Sequence, residues 1–90
     1  MQIQFTKNIQ FTRLVKADGR LREFNFRKYR GEEGELLFSV DVVDDRGNRI
    51  LFKMKKDDGG WKIIPASLPA WVTSNEKSFH ELIEEELGQA

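Results

Sequence analysis

Apolar and polar residues alternate with a period of two through the first two thirds of the chain, and a helical period replaces it near the end. Residues 35–44 show the alternation most cleanly. Leu36, Phe38, Val40 and Val42 share one side, while Leu37, Ser39, Asp41 and Val43 share the other, as in a strand with one buried face. Ile50, Phe52 and Met54 repeat the pattern within residues 48–56. Between the two segments, Asp45-Arg46-Gly47 suits a three-residue hairpin loop closed by a left-handed glycine. That loop sets Val42 opposite Ile50, Val40 opposite Phe52 and Phe38 opposite Met54. A slip of one residue would turn the whole apolar set outward.

The same reading extends to both sides. Ile3, Phe5, Ile9, Phe11 and Val15 share odd parity and predict a first strand over residues 2–16. Lys7 and Arg13 interrupt the set and Leu14 is out of phase, so a bulge or a break near residues 6–8 is expected. Asp18-Gly19 supplies a two-residue turn into a second strand, 21–30, with Phe24 and Phe26 inward and Glu23, Asn25, Arg27 and Tyr29 outward. A turn at 31–34 leads into the third strand, and Asp58-Gly59 leads from the fourth to a short fifth strand, 61–64, which Pro65 ends. Leu68, Trp71 and Val72 should pin the following connector to the core. Phe79, Leu82, Ile83 and Leu87 form one stripe of a helix over 74–87, with Thr73-Ser74-Asn75-Glu76 as a capping box and Gly88 as its stop. Tight turns join only antiparallel neighbours. The chain therefore reads as an α+β fold: an antiparallel β-meander of four to five strands with one C-terminal α-helix packed on one sheet face, in a single domain over 1–90.

Composition narrows the class. A third of the residues are charged and the longest apolar runs are only a few residues, far short of the roughly 20 a membrane span needs. No cysteine is present, which removes disulfides, thiolate metal sites and cysteine nucleophiles together. The first five residues lack a basic region followed by an apolar stretch, so no secretory signal and a cytoplasmic location are expected. Net charge is zero but uneven: residues 1–30 balance at +6, and residues 31–60 and 61–90 at −3 each. Either the elements neutralise one another across the fold, or the N-terminal hairpin presents a basic face to an anionic partner.

No chemical motif stands out. His80 is the single histidine and reads as a solvated helical residue with no second ligand to share a metal. The acidic clusters fall in turns and on the solvent side of the helix, where carboxylates are poor acid–base catalysts. Asp44-Asp45-Arg46-Gly47-Asn48 lacks the calcium-loop spacing, and the glycines fit neither a GxGxxG nor a P-loop. Asp41, in mid-sheet, should pair diagonally with Lys53. No cofactor, no metal and no enzymatic activity are expected.

Two binding surfaces remain. Residues 22–30 interleave aromatics with cations, the composition of single-stranded nucleic acid binders, with Arg22, Arg27, Lys28, Tyr29 and Arg30 as the contacts. The bland alternative makes Phe24 and Phe26 core residues. The strand–strand–strand–strand–helix order resembles, in topology alone, the repeat unit of the Pur-alpha class of single-stranded nucleic acid binders. The second surface is the sheet face that one helix leaves uncovered, carrying Arg27, Tyr29, Leu37, Asp41, Val43, Leu51 and Lys53. It is more apolar than a solvated face requires. The leading expectation is a small interaction domain that binds a protein or a second copy of itself through this face. Nucleic acid binding is the alternative, and no membrane contact is expected.

Overall fold

Each tight turn returns the chain beside the strand it has just left, and the sheet grows one strand at a time. In the computed structural model, which describes residues 9–88, the strands are β1 (Gln10–Ala17), β2 (Arg20–Arg30), β3 (Leu36–Val43), β4 (Arg49–Asp57) and β5 (Gly60–Ile63). They form one curled antiparallel sheet in the order β1-β2-β3-β4-β5. A one-turn helix, α1 (Ala70–Thr73), precedes α2 (Glu76–Gly88), which packs across one face. Asp18 and Gly19 take φ of 54° and 81° in the first turn, and Gly47 closes the β3–β4 loop at 83°. Val42↔Ile50, Val40↔Phe52 and Phe38↔Met54 are register partners as expected. Residues 2–8 of the expected first strand, with Ile3, Phe5 and the bulge, lie outside the described residues. Within β1 Leu14 needs no bulge, because it simply faces solvent at 60% exposure while Val15 and Ala17 are buried.

The buried side chains meet at Phe79 of α2. Its ring centroid lies 4.9 Å from Phe24, 5.6 Å from Phe52 and 6.0 Å from Phe26, so one aromatic touches β2 and β4 together. Phe38 packs edge-on to Trp61 at 5.1 Å, which fastens β5 to the centre of the sheet. Val72 and Ile83 complete the layer, with Leu68, Trp71, Leu82 and Leu87 packed around it.

The start of α2 departs from the expected capping box. Pro69 opens α1, so Thr73 is already helical and its hydroxyl donates to the Ala70 carbonyl. Hydroxyls inside a turn bond backwards in this way and cease to act as caps. Asn75 Nδ2 donates to the Trp71 carbonyl, which ties the two helices together. Glu76 is drawn elsewhere: its Oε2 accepts the Ile63 amide at 2.9 Å. His80, one turn further on, is half-buried rather than solvated, and its Nδ1 accepts the Trp61 amide at 3.0 Å. The ring lies so close that a Cβ on Gly60 would stand 2.6 Å from His80 Cε1. Gly60 also has φ of 114°, so both backbone and space require glycine there.

Three outcomes should follow in urea denaturation. Phe79→Ala should cost about 3–5 kcal/mol, because it empties the site under two strands, and a loss below about 1 kcal/mol would contradict that placement. Thr73→Ala with Ser74→Ala should change stability by no more than about 0.5 kcal/mol. Glu76→Ala should cost about 1–3 kcal/mol, since it strands a half-buried amide. The reverse ranking would restore the capping box.

Candidate interaction surface

Register determines what the uncovered face presents. Thr12 lies opposite Asn25, Asn25 opposite Asp41, and Asp41 opposite Leu51. The first three are short polar side chains that reach one another. Thr12 Oγ1 donates to Asn25 Oδ1 at 2.6 Å, and Asn25 Nδ2 donates to Asp41 Oδ1 at 2.9 Å. Arg49 Nη2 then donates to Asp41 Oδ2 at 2.9 Å. A hydrogen-bonded ladder thus crosses four strands, along the floor of a groove of about 650 Å³.

Asp41 does not pair with Lys53. Arg49 and Lys53 are the two diagonal neighbours of Asp41, each two residues from Leu51. Sheet twist makes the two diagonals unequal, and a long forked guanidinium meets a carboxylate better than an ammonium does. Lys53 lies instead 5.8 Å from the Tyr29 ring centroid. Sequence reasoning missed Thr12 and Arg49, although counting back from the turns places Thr12 opposite Asn25 and Arg49 diagonal to Asp41.

Two zones flank the ladder. Towards the Asp18 and Asp45 turns lie Leu14, Leu21 and Val43, exposed at 60%, 62% and 52%. Towards the opposite end lie Arg27, Lys53 and Lys55 around Tyr29 and Ser39. Leu51, 57% exposed, joins the two. Leu37 was expected here as an exposed member, but it is buried. It sits between Tyr29 and Lys55 in register, and its Cδ1 is so close to Gly31 that a Cβ there would approach within 2.9 Å. The turn after β2 covers it. The other six expected members, Arg27, Tyr29, Asp41, Val43, Leu51 and Lys53, share the face.

The basic segment of β2 divides between the two faces. Arg22 has the parity of Phe24 and Phe26 and is 4% exposed, so it is no surface contact. Its Nε donates to the Ala17 carbonyl at 3.0 Å and its Nη2 to Asp45 Oδ2 at 3.2 Å. Nη1 lies 3.1 Å from Asp45 Oδ1 but off the hydrogen-bond direction, and Asp18 Oδ2 is 3.6 Å from Nη2. The guanidinium also covers the Trp71 ring at 4.7 Å. One cation therefore joins two turns to the connector. Lys28 shares that parity and is half-buried opposite Phe38, with Arg30 exposed at the strand end. Arg27 and Tyr29 alone of the five nucleic-acid candidates meet on the open face.

Much of the uneven charge is neutralised internally. Arg13 pairs with Glu85 at 2.8 Å and Glu86 at 2.9 Å, Arg20 and Arg22 with Asp45, and Lys56 with Glu84 at 3.1 Å. The Glu85 and Glu86 hydrogen bonds push the Arg13 guanidinium above its ordinary value. Lys16, Arg27, Lys53 and Lys55 on the open face make no ion pair among the described residues. Among those residues, no three His, Cys, Asp or Glu side chains gather where they could hold a metal ion. Among the described residues, no helix is long and apolar enough to cross a membrane.

Compared with known proteins, the chain matches no family model, no curated protein and no solved structure. The resemblance to the Pur-alpha repeat unit stops at strand count, since five strands precede the helix here.

The turn carboxylates carry a pH consequence. The Arg22 hydrogen bond holds Asp45 below the usual carboxylate range, and the Asn48 amide does the same for Asp44. A lowered folded pKa means that the unfolded chain binds these protons more readily. The stabilisation is therefore complete above the unfolded value, about 4, and disappears as pH falls through the folded value. Thermal melts should show stability declining below about pH 4, with a shallower decline in the Asp44→Asn, Asp45→Asn variant. Identical slopes would mean that these pairs do not persist in solution.

Proposed function

We propose that this chain is a non-enzymatic interaction domain whose open sheet face docks an acidic protein surface that also carries apolar side chains. One observation carries the reading: unpaired cations (Arg27, Lys53, Lys55) and exposed apolar groups (Leu51, Val43) stand side by side on a single face. Apolar contacts supply affinity in such a surface, and the charges set orientation and encounter rate. The ladder from Thr12 to Arg49 keeps the floor rigid and its polar groups satisfied, which limits the ordering cost of binding.

Two competing readings are less well supported. A face-to-face pair of copies would bring together, from each chain, four cations and Glu23, none of which makes an ion pair among the described residues. Single-stranded nucleic acid would need an aromatic platform, and Tyr29 is half-buried beside the Lys53 ammonium.

An NMR titration tests the proposal, with an acidic peptide of alternating Glu and Leu as one probe and a poly-dT strand as the other. The Glu/Leu peptide should shift the amides of Arg27, Ser39, Leu51 and Lys53, more strongly at low salt than at moderate salt. Arg27→Glu with Lys53→Glu should weaken that binding at least about tenfold, roughly 1.4 kcal/mol. Shifts from poly-dT alone would transfer the face to nucleic acid, and silence towards both would remove it as a binding site for acidic partners.

A further inference from the structure

The two edges of the sheet are finished differently. Ile64 donates to the Lys53 carbonyl, and antiparallel pairing alternates, so the amides of Trp61 and Ile63 point away from β4. His80 and Glu76 of α2 accept both. Two helical side chains thus close β5 to any further strand, a recognised way of blunting an edge.

β1, at the other edge, has β2 as its one strand neighbour among the described residues. Lys28 donates to the Ile9 carbonyl at 2.9 Å, which makes the odd-numbered residues of β1 the ones bonded to β2. The N–H and C=O groups of Gln10, Thr12, Leu14 and Lys16 therefore point outward. All four residues are exposed, and no described backbone group bonds to them. Edges of this length attract another strand.

We infer that β1 pairs with β1 of a second copy of this chain, antiparallel about a two-fold axis, to give a continuous ten-stranded sheet. An antiparallel edge is self-complementary, because each copy offers the same donors and acceptors. The assembly stops at two because His80 and Glu76 block the far edge of each copy. Register is limited too, since outward groups meet only when even-numbered residues face even-numbered ones. Centring on Arg13 would set two guanidinium groups directly opposite, which is unfavourable. Centring on Leu14 sets Leu14 opposite its counterpart, Lys16 opposite Thr12 and Arg13 opposite Val15, with no two cations face to face. Leu14, one of the most exposed large apolar residues described, would then meet its counterpart across the seam. A foreign acidic strand fits less well, because Arg13 is already held by Glu85 and Glu86 and only Lys16 remains to attract it.

Light scattering over a concentration series should reach twice the single-chain mass. Leu14→Pro removes an outward N–H and leaves the β1–β2 bonds in place, so it should give the single-chain mass with an unchanged near-ultraviolet spectrum. Leu14→Lys keeps the backbone donor and sets two ammonium groups across the axis, and it should weaken the pair at least about tenfold. In the unmodified chain the Thr12, Leu14 and Lys16 amides should exchange slowly, and in Leu14→Lys rapidly. Arg27→Glu with Lys53→Glu should leave the pair intact, which separates this edge from the face. A single-chain mass at every concentration, or a pair that survives both Leu14 variants with those amides exchanging rapidly, would overturn the inference.

Discussion

One aromatic ring sets the terms for the rest of the molecule. Phe79 sits within 6.0 Å of three sheet phenylalanines, and it fits there only if β2 and β4 turn their aromatics to the same face. That requirement settles which way each strand faces and where the single long helix lies. A helix of thirteen residues can cover one side of five strands and no more. The other side is left to solvent or to a partner.

The same helix reaches both edges of the sheet. Its Glu85 and Glu86 hold Arg13 of β1, and its Glu76 and His80 satisfy the outward amides of β5. The two contacts differ in kind. Ion pairs of half-exposed groups contribute little to stability, whereas an acceptor for a half-buried amide avoids a desolvation penalty. Helix and β5 are therefore bound by directional bonds, while β1 is held by its ladder with β2 and by Val15 and Ala17 in the core.

Arg22 shows how a local reading of charge can mislead. Within residues 22–30 it looks like one more surface cation, yet its parity is that of Phe24 and Phe26. A cation with that parity must find partners inside, and it does so with Asp45, the Ala17 carbonyl and the Trp71 ring. The basic character of β2 is thereby divided between a structural clamp and an open face whose cations, Arg27, Lys53 and Lys55, lie beside exposed Leu51.

Sequence alone determined the strand order and the β3–β4 register, because alternation and turn chemistry are local and each turn joins neighbours. Parity also put Phe24, Phe26, Phe38, Val40, Phe52 and Met54 on the core face, where they are buried. Tertiary structure decided matters that depend on which distant groups come within a bond length. The Thr73 to Glu76 box gave way because Pro69 starts an earlier turn and because the β5 edge needs acceptors. His80 left solvent for the same edge. Asp41 took Arg49 rather than Lys53 because twist separates two diagonals that sequence treats as equal. Leu37 was covered by a turn whose path no periodicity reports. Period two names the face on which a side chain lies, but only three-dimensional packing decides what lies over it.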